Sequence, residues 1–156
     1  MRQTLRGVVP VIPTPLNDDE TVDTTALRRI IDRAIDGGVN GIWVLGSGGE
    51  LPNLEHSERR KVMETAVHTV GGRVPVVAGV GHSGTRLTIK AADEAKSIGV
   101  DMVNVVPPYY YGYSEEQKVR HYQSVLAAIE LPLVVYHRGT PPLSLKALET
   151  ICENPK

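Results

Sequence analysis

Three short segments carry residue types that could act on a small acid. Gly46-Ser47-Gly48-Gly49-Glu50 places three glycines and a hydroxyl within five residues. Glycines let a backbone approach a ligand and turn its amides inward, which suits a carboxylate or a phosphate, with the Ser47 hydroxyl as a further donor. A plain tight turn has the same composition. Pro107-Pro108-Tyr109-Tyr110-Tyr111-Gly112-Tyr113 holds four tyrosines, in a chain with six in all and no Phe. Phenols there could relay protons or line a pocket. Aromatic packing or a subunit contact accounts for most of them, which leaves one or two for function. Tyr136-His137-Arg138 closes an apolar run, so Tyr136 should present its hydroxyl at a strand end. Arg138 could grip a carboxylate with both arms of its guanidinium, or form a surface ion pair. His82 and His137 have no second ligand at metal spacing and read as hydrogen-bonding loop residues; no metal site and no cofactor are expected.

These segments need elements to hold them. Short apolar runs cover Gly7 to Ile12, Gly41 to Leu45, Val74 to Val80, Met102 to Val106 and Leu133 to Tyr136. Helical periodicity fills the intervals. Thr24 to Ile35 sets Leu27, Ile30, Ile31, Ala34 and Ile35 on one face, with Asp23 as N-cap and Gly37-Gly38 as stop. A second helix has Val62, Met63, Ala66, Val67 and Val70 in register and closes at Gly71-Gly72. Thr85 to Ile98 would turn Leu87, Ala91, Ala95 and Ile98 inward. Ser114 caps a fourth helix with Val119, Tyr122, Leu126 and Ile129 inward, and Ser144 opens a fifth that runs to about Cys152.

Five strand–helix units in strict alternation predict a parallel sheet with both faces covered. An open doubly wound sheet of the dinucleotide-binding kind would want Gly-x-Gly-x-x-Gly after strand one, where this chain has Val11-Ile12-Pro13-Thr14-Pro15. Special residues follow every strand, which is the habit of a barrel. The expected fold is therefore α/β, a (β/α)8 TIM barrel of which residues 1–156 supply the first five βα units as one partial domain. Strands one and five would then be bare edges.

Composition narrows the function. Lys and Arg number 17 against 18 Asp and Glu, for a net charge of −1, so no basic field awaits nucleic acid. No apolar stretch approaches the ~18 residues of a membrane span. The single cysteine, Cys152, suits a reducing compartment and reads as a small, partly buried apolar residue. A cytoplasmic location is the expectation.

The ordered set Pro13-Thr14-Pro15, Gly37-Gly38-Val39-Asn40-Gly41, Gly46 to Glu50, Leu54 to Arg59, Val77 to Gly81, Pro107 to Tyr110 and Val135-Tyr136 resembles the dihydrodipicolinate synthase/N-acetylneuraminate lyase family of pyruvate-dependent aldolases. The resemblance implies a class I mechanism, in which a lysine at the end of strand six forms a Schiff base with a 2-oxo acid. It implies that Tyr136 transfers protons, that Ser47 links it to the tyrosine after strand four (here Tyr110), and that the amides around Gly48 and Gly49 hold the carboxylate. Tyr110 would reach across a subunit contact in a homotetramer.

Two departures matter. Gly48 stands where the family commonly has a second hydroxyl. The arginine that true synthases carry five residues past the strand-five tyrosine is Pro141 here, whereas Arg138 lies two beyond, similar to sugar-acid dehydratases and aldolases of the family. The Schiff-base lysine is expected beyond this chain, since Lys156 would sit in the turn before strand six and Lys61, Lys90, Lys96, Lys118 and Lys146 fall on helix patterns. A non-catalytic or degenerate barrel module that needs a partner is the alternative, and an unrelated phosphate-binding barrel a more distant one.

Overall fold

A computed structural model describes residues 5–137 and 142–153. Four parallel strands, β1 (Ile42–Val44), β2 (Val76–Gly79), β3 (Met102–Val105) and β4 (Leu133–Val135), lie in the order β1-β2-β3-β4. Five helices alternate with them: α1 (Thr24–Asp36), α2 (His56–Val70), α3 (Thr85–Ile98), α4 (Glu115–Ala128) and α5 (Leu145–Cys152). A doubly wound sheet reverses its strand order at a switch point. Here the order follows the chain without reversal, and successive helices pack on one another, which is the partial TIM barrel expected from the sequence.

Strand register sorts the side chains into two faces. Ile42, Val44, Val76, Ala78, Val103 and Val105 point to the helices and join the core with Leu27, Ile31, Val62, Ala66 and Leu126. Each fully buried aliphatic side chain contributes about 1.5–3 kcal/mol. Trp43, Val77, Gly79, Met102, Asn104, Val134 and Tyr136 alternate with these and form the opposite, barrel-inner face. Helix ends follow the expected signals. Asp23 accepts from the Ala26 amide at 2.8 Å, Ser114 and Gln117 form a reciprocal capping box, and Ser144 accepts from the Ala147 amide at 3.1 Å. No helix among the described residues is long and apolar enough to cross a membrane.

Three expectations need correction. The first strand is reduced to a single parallel bridge, Val11 with Trp43, flanked by two bonds: Ile12 N donates to Trp43 O at 2.8 Å and Trp43 N to Pro10 O at 3.1 Å. The next rung toward the N-terminus would need an N–H at residue 10, and proline has none. On α3 Ala95 is buried and Ala91 and Ile98 pack partly buried against the core as expected, but Leu87 is 46% exposed and Thr88 and Ala92 are buried in its stead. Small residues let α3 lie close to the sheet, and the sequence reading favoured the larger side chain. Cys152 is exposed rather than partly buried, because the face of α5 that packs inward is Ala147 and Ile151.

Candidate active site

The chain leaves β1 through Leu45, a buried non-glycine residue in the left-handed region at φ 57°. That conformation costs energy for a branched side chain and redirects the backbone at once. It also aims the Leu45 carbonyl at β2, where a Cβ on Gly79 would collide with it. Gly79 is thus required by close approach. Gly46 is required likewise: a Cβ there would stand 2.8 Å from Val11 Cγ1 and 3.3 Å from Trp43 Nε1.

Ser47–Gly49 then forms one tight helical turn. Within it the Gly49 amide donates to Gly46 O at 3.0 Å and the Glu50 amide to Ser47 O at 3.3 Å. The turn thereby uses the amides of Gly49 and Glu50, whereas the first amides of such a turn, Ser47 and Gly48, find no carbonyl within it. Thr14, the centre of Pro13-Thr14-Pro15, donates its hydroxyl to Gly49 O at 2.7 Å and is itself buried. The loop is therefore anchored from beneath, with Ser47 and Gly48 exposed at its crest and Gly49 buried at its base.

Tyr136 follows β4, half-buried on the barrel-inner face. Its amide donates to Val105 O at 3.0 Å. Its ring stands edge-on to Trp43 across the sheet, with centroids 5.8 Å apart and planes at 82°. Its carbonyl accepts the Tyr122 hydroxyl at 3.2 Å, and the same hydroxyl reaches Val105 O at 3.2 Å. Tyr122 is fully buried on α4, and burial pushes its phenol pKa up, so it stays a donor.

These parts meet in one cavity of about 270 Å³, open at the carboxyl ends of the strands and lined by Ser47, Leu51, Asn104, Pro107, Tyr109 and Tyr136 among others. Ser47 and Tyr136 thus line the same cavity. Tyr109 lines the cavity with them. Tyr110 is 75% exposed, turned outward and set edge-on to Tyr111 at 4.8 Å between centroids. Gly48 stands beside Ser47 in the same loop, and Arg138 lies outside the described residues. His137 accepts from the Leu143 amide at 3.2 Å, and His82 Nδ1 accepts from the Ser83 amide at 2.9 Å, so both are hydrogen-bonding loop residues.

A second cavity, about 380 Å³, lies where α2 and α3 meet and includes His56, Arg59, His82 and Glu94, but neither Ser47 nor Tyr136. Burial and the nearby Arg59 charge hold the His82 pKa below its ordinary value. Lys61, Lys90, Lys96, Lys118 and Lys146 lie on α2, α3, α3, α4 and α5, so among the described residues no lysine stands at a strand end.

Sequence reasoning missed three contributors. Asn104, Trp43 and Tyr122 all touch or frame Tyr136 or its cavity. Asn104 left a visible signal, a lone amide in the run Met102-Val103-Asn104-Val105-Val106. Tyr122 left none, because a phenol on an apolar helix face reads as core.

The profile of the dihydrodipicolinate synthetase family matches residues 4–156. An uncharacterized DapA-like lyase of Halobacterium salinarum is 41% identical over 152 residues, which are 96% of this chain and 50% of that protein. The 4-hydroxy-tetrahydrodipicolinate synthase of Phenylobacterium zucineum is 42% identical over 135 residues, 86% of this chain and 46% of its own length. The crystal structure of the chloride-inhibited dihydrodipicolinate synthase of Acinetobacter baumannii, complexed with pyruvate, superimposes with a TM-score of 0.93 at 32% identity and covers 97% of this chain and 53% of that one. The chain spans about half the length of the relatives it matches.

Proposed function

The chain belongs to the dihydrodipicolinate synthetase family, and on that premise we propose that it is the N-terminal portion of a lyase that acts on pyruvate or another 2-oxo acid through a Schiff base. The observation that carries this reading is the shared cavity: Gly46 and Ser47 of the loop and Tyr136 line it together at the strand ends.

In this reading the amides of Ser47 and Gly48, with the Ser47 hydroxyl, hold the substrate carboxylate where charge is offset by fixed dipoles. Gly48 brings no hydroxyl, so the second contact is backbone alone. Tyr136 moves a proton to and from the carbon or oxygen next to the iminium, acting as acid in one direction and base in the other. An iminium on lysine serves as the electron sink that makes that carbon acidic. The lysine lies beyond this chain, a placement supported by the absence of any lysine at a strand end among the described residues. Tyr110, exposed beside Tyr111, forms part of a contact between subunits, and Arg138 binds a carboxylate. The assembly is a homotetramer in the cytoplasm.

Borohydride reduction of the native protein in the presence of pyruvate tests the reading. The expected result is a covalent adduct on a lysine other than the five helix lysines. No adduct at all would sink the Schiff-base mechanism.

A second reading has its own support. β4 is an unpaired edge whose residues Leu133, Val134 and Val135 are all only half-buried, and Val8 and Val11 are 63% and 42% exposed beside β1. A non-catalytic module that covers these edges with a partner would leave the same features. It predicts a stable complex in native mass spectrometry and no trapped adduct.

A further inference from the structure

Asn104 is a polar side chain buried on an otherwise apolar strand. It lies on β3, 3% exposed, on the barrel-inner face. Register places it opposite Gly79 on one side and Val134 on the other. Gly79 has no side chain to offer, and the Leu45 carbonyl forbids one there. Nothing from β2 therefore covers the amide. Val134 supplies only its backbone, through a bond from Asn104 Nδ2 to Val134 O at 3.3 Å, beyond the usual N–H···O range.

A carboxamide offers two donors and an acceptor. Buried amides that are not fully paired weaken the fold, and an aliphatic residue would fill this site at no such cost. The neighbours along the strand, Val103 and Val105, show that β3 is otherwise apolar. Asn104 lines the cavity with Ser47 and Tyr136. It stands one layer beneath Tyr136, since Tyr136 is two residues past Val134 on the neighbouring strand. Among the described residues its side chain bonds only Val134 O, which leaves its other polar positions for a ligand in the cavity it lines.

We propose that Asn104 is a specificity-determining residue, whose carboxamide binds a hydroxyl on the carbon chain of the 2-oxo acid. A hydroxyl both donates and accepts, which matches the amide, whereas a methyl group in the same place leaves the amide unpaired. A site built this way selects hydroxylated 2-oxo acids over their alkyl counterparts. The inference rests on the reading of this cavity as a 2-oxo-acid pocket.

Hydroxypyruvate and 2-oxobutyrate are matched probes, alike in size and differing by a hydroxyl in place of a methyl. Their dissociation constants, with that of pyruvate, can be measured by calorimetric titration on the native protein and on Asn104→Leu. The native protein is expected to prefer hydroxypyruvate by roughly tenfold, the scale of one well-made hydrogen bond. Asn104→Leu should abolish or invert that preference. Should the leucine variant not fold, Asn104→Ala removes the amide without adding bulk and should abolish the preference equally. An unchanged preference in the folded variant overturns the assignment. So does a native protein that binds pyruvate with no preference between the two probes, and that outcome leaves the pocket reading intact. Failure of the native protein to bind any of the three overturns both together.

Discussion

The hydroxyl of Tyr122 donates to the carbonyl of Tyr136, 3.2 Å away, and so ties the backbone of the proposed proton-transfer residue to the middle of α4. The same hydroxyl reaches the carbonyl of Val105, which already accepts the Tyr136 amide. One buried phenol thus clamps the ends of β3 and β4. Tyr122→Phe keeps the packing and removes only the clamp. It is expected to lower unfolding free energy by roughly 1–2 kcal/mol, the cost of leaving a buried carbonyl poorly paired. Denaturant titration of the pair of proteins measures it.

Tyr136→Phe removes the phenol without disturbing that clamp, since Tyr122 bonds the backbone of residue 136. Turnover in the native protein should fall by roughly 10²–10⁴, the range for one general acid–base group. Trapping of pyruvate by borohydride should persist. Unchanged turnover would take Tyr136 out of the mechanism.

Two glycines close to the site should respond in opposite ways. Gly79→Ala drives a Cβ into the Leu45 carbonyl and should cost several kcal/mol, of the order seen when a core is overpacked (about 1–3 kcal/mol or more). Gly48→Ala meets only Val11 Cγ1 at 3.6 Å, an ordinary contact, and should shift stability by less than about 0.5 kcal/mol. Thermal melts of the two variants give the contrast directly. Equal losses would show that the loop, rather than the strand contact, governs the fold here.

His121 makes stability depend on mild acid. It is buried on α4, with Nδ1 2.8 Å from Thr85 Oγ1 and no well-formed bond at Nε2. Burial lowers its pKa to about 4, against the pull of the Val106 backbone, from an ordinary 6.5. Between those values the unfolded chain binds a proton that the folded chain refuses, so stability is full above 6.5 and falls as the pH drops toward 4. The loss approaches the order of 3 kcal/mol at the low end. His82, whose pKa is also lowered, adds in the same sense, whereas Glu58 and Glu115, with lowered carboxyl pKa values, lose their contributions only below the ordinary glutamate range. Urea midpoints at about pH 7 and about pH 4.5 should therefore differ strongly in the native protein and less in His121→Gln. An equal difference in both would remove His121 as the cause.

Periodicity and capping residues made the helices legible, because Asp23, Ser114 and Ser144 are local signals that the tertiary structure had no reason to override. The strand order was legible only as a class, through the alternation of units. The outward turn of Leu87 on α3 was not, because Thr88 and Ala92 bring the helix close to the sheet and periodicity weighs size instead. At the site, the place of Ser47 and Tyr136 on one cavity followed from their positions at strand ends. Tyr109 and Tyr110 are adjacent in the chain, and only the turn after β3 decides which of them faces the cavity. The Tyr122 clamp was invisible for a related reason: its partners are backbone carbonyls, and sequence does not say where those point.

The strand order β1-β2-β3-β4 has a bearing on how the chain acquires its shape. Each strand pairs with the one made just before it, and each helix packs on its predecessor. Among the four described strands none pairs out of chain order, so within this sheet the entropy of closing loops is met in small instalments. During synthesis every new unit finds its docking surface already made, and growth proceeds from the N-terminus like a stair laid one tread at a time.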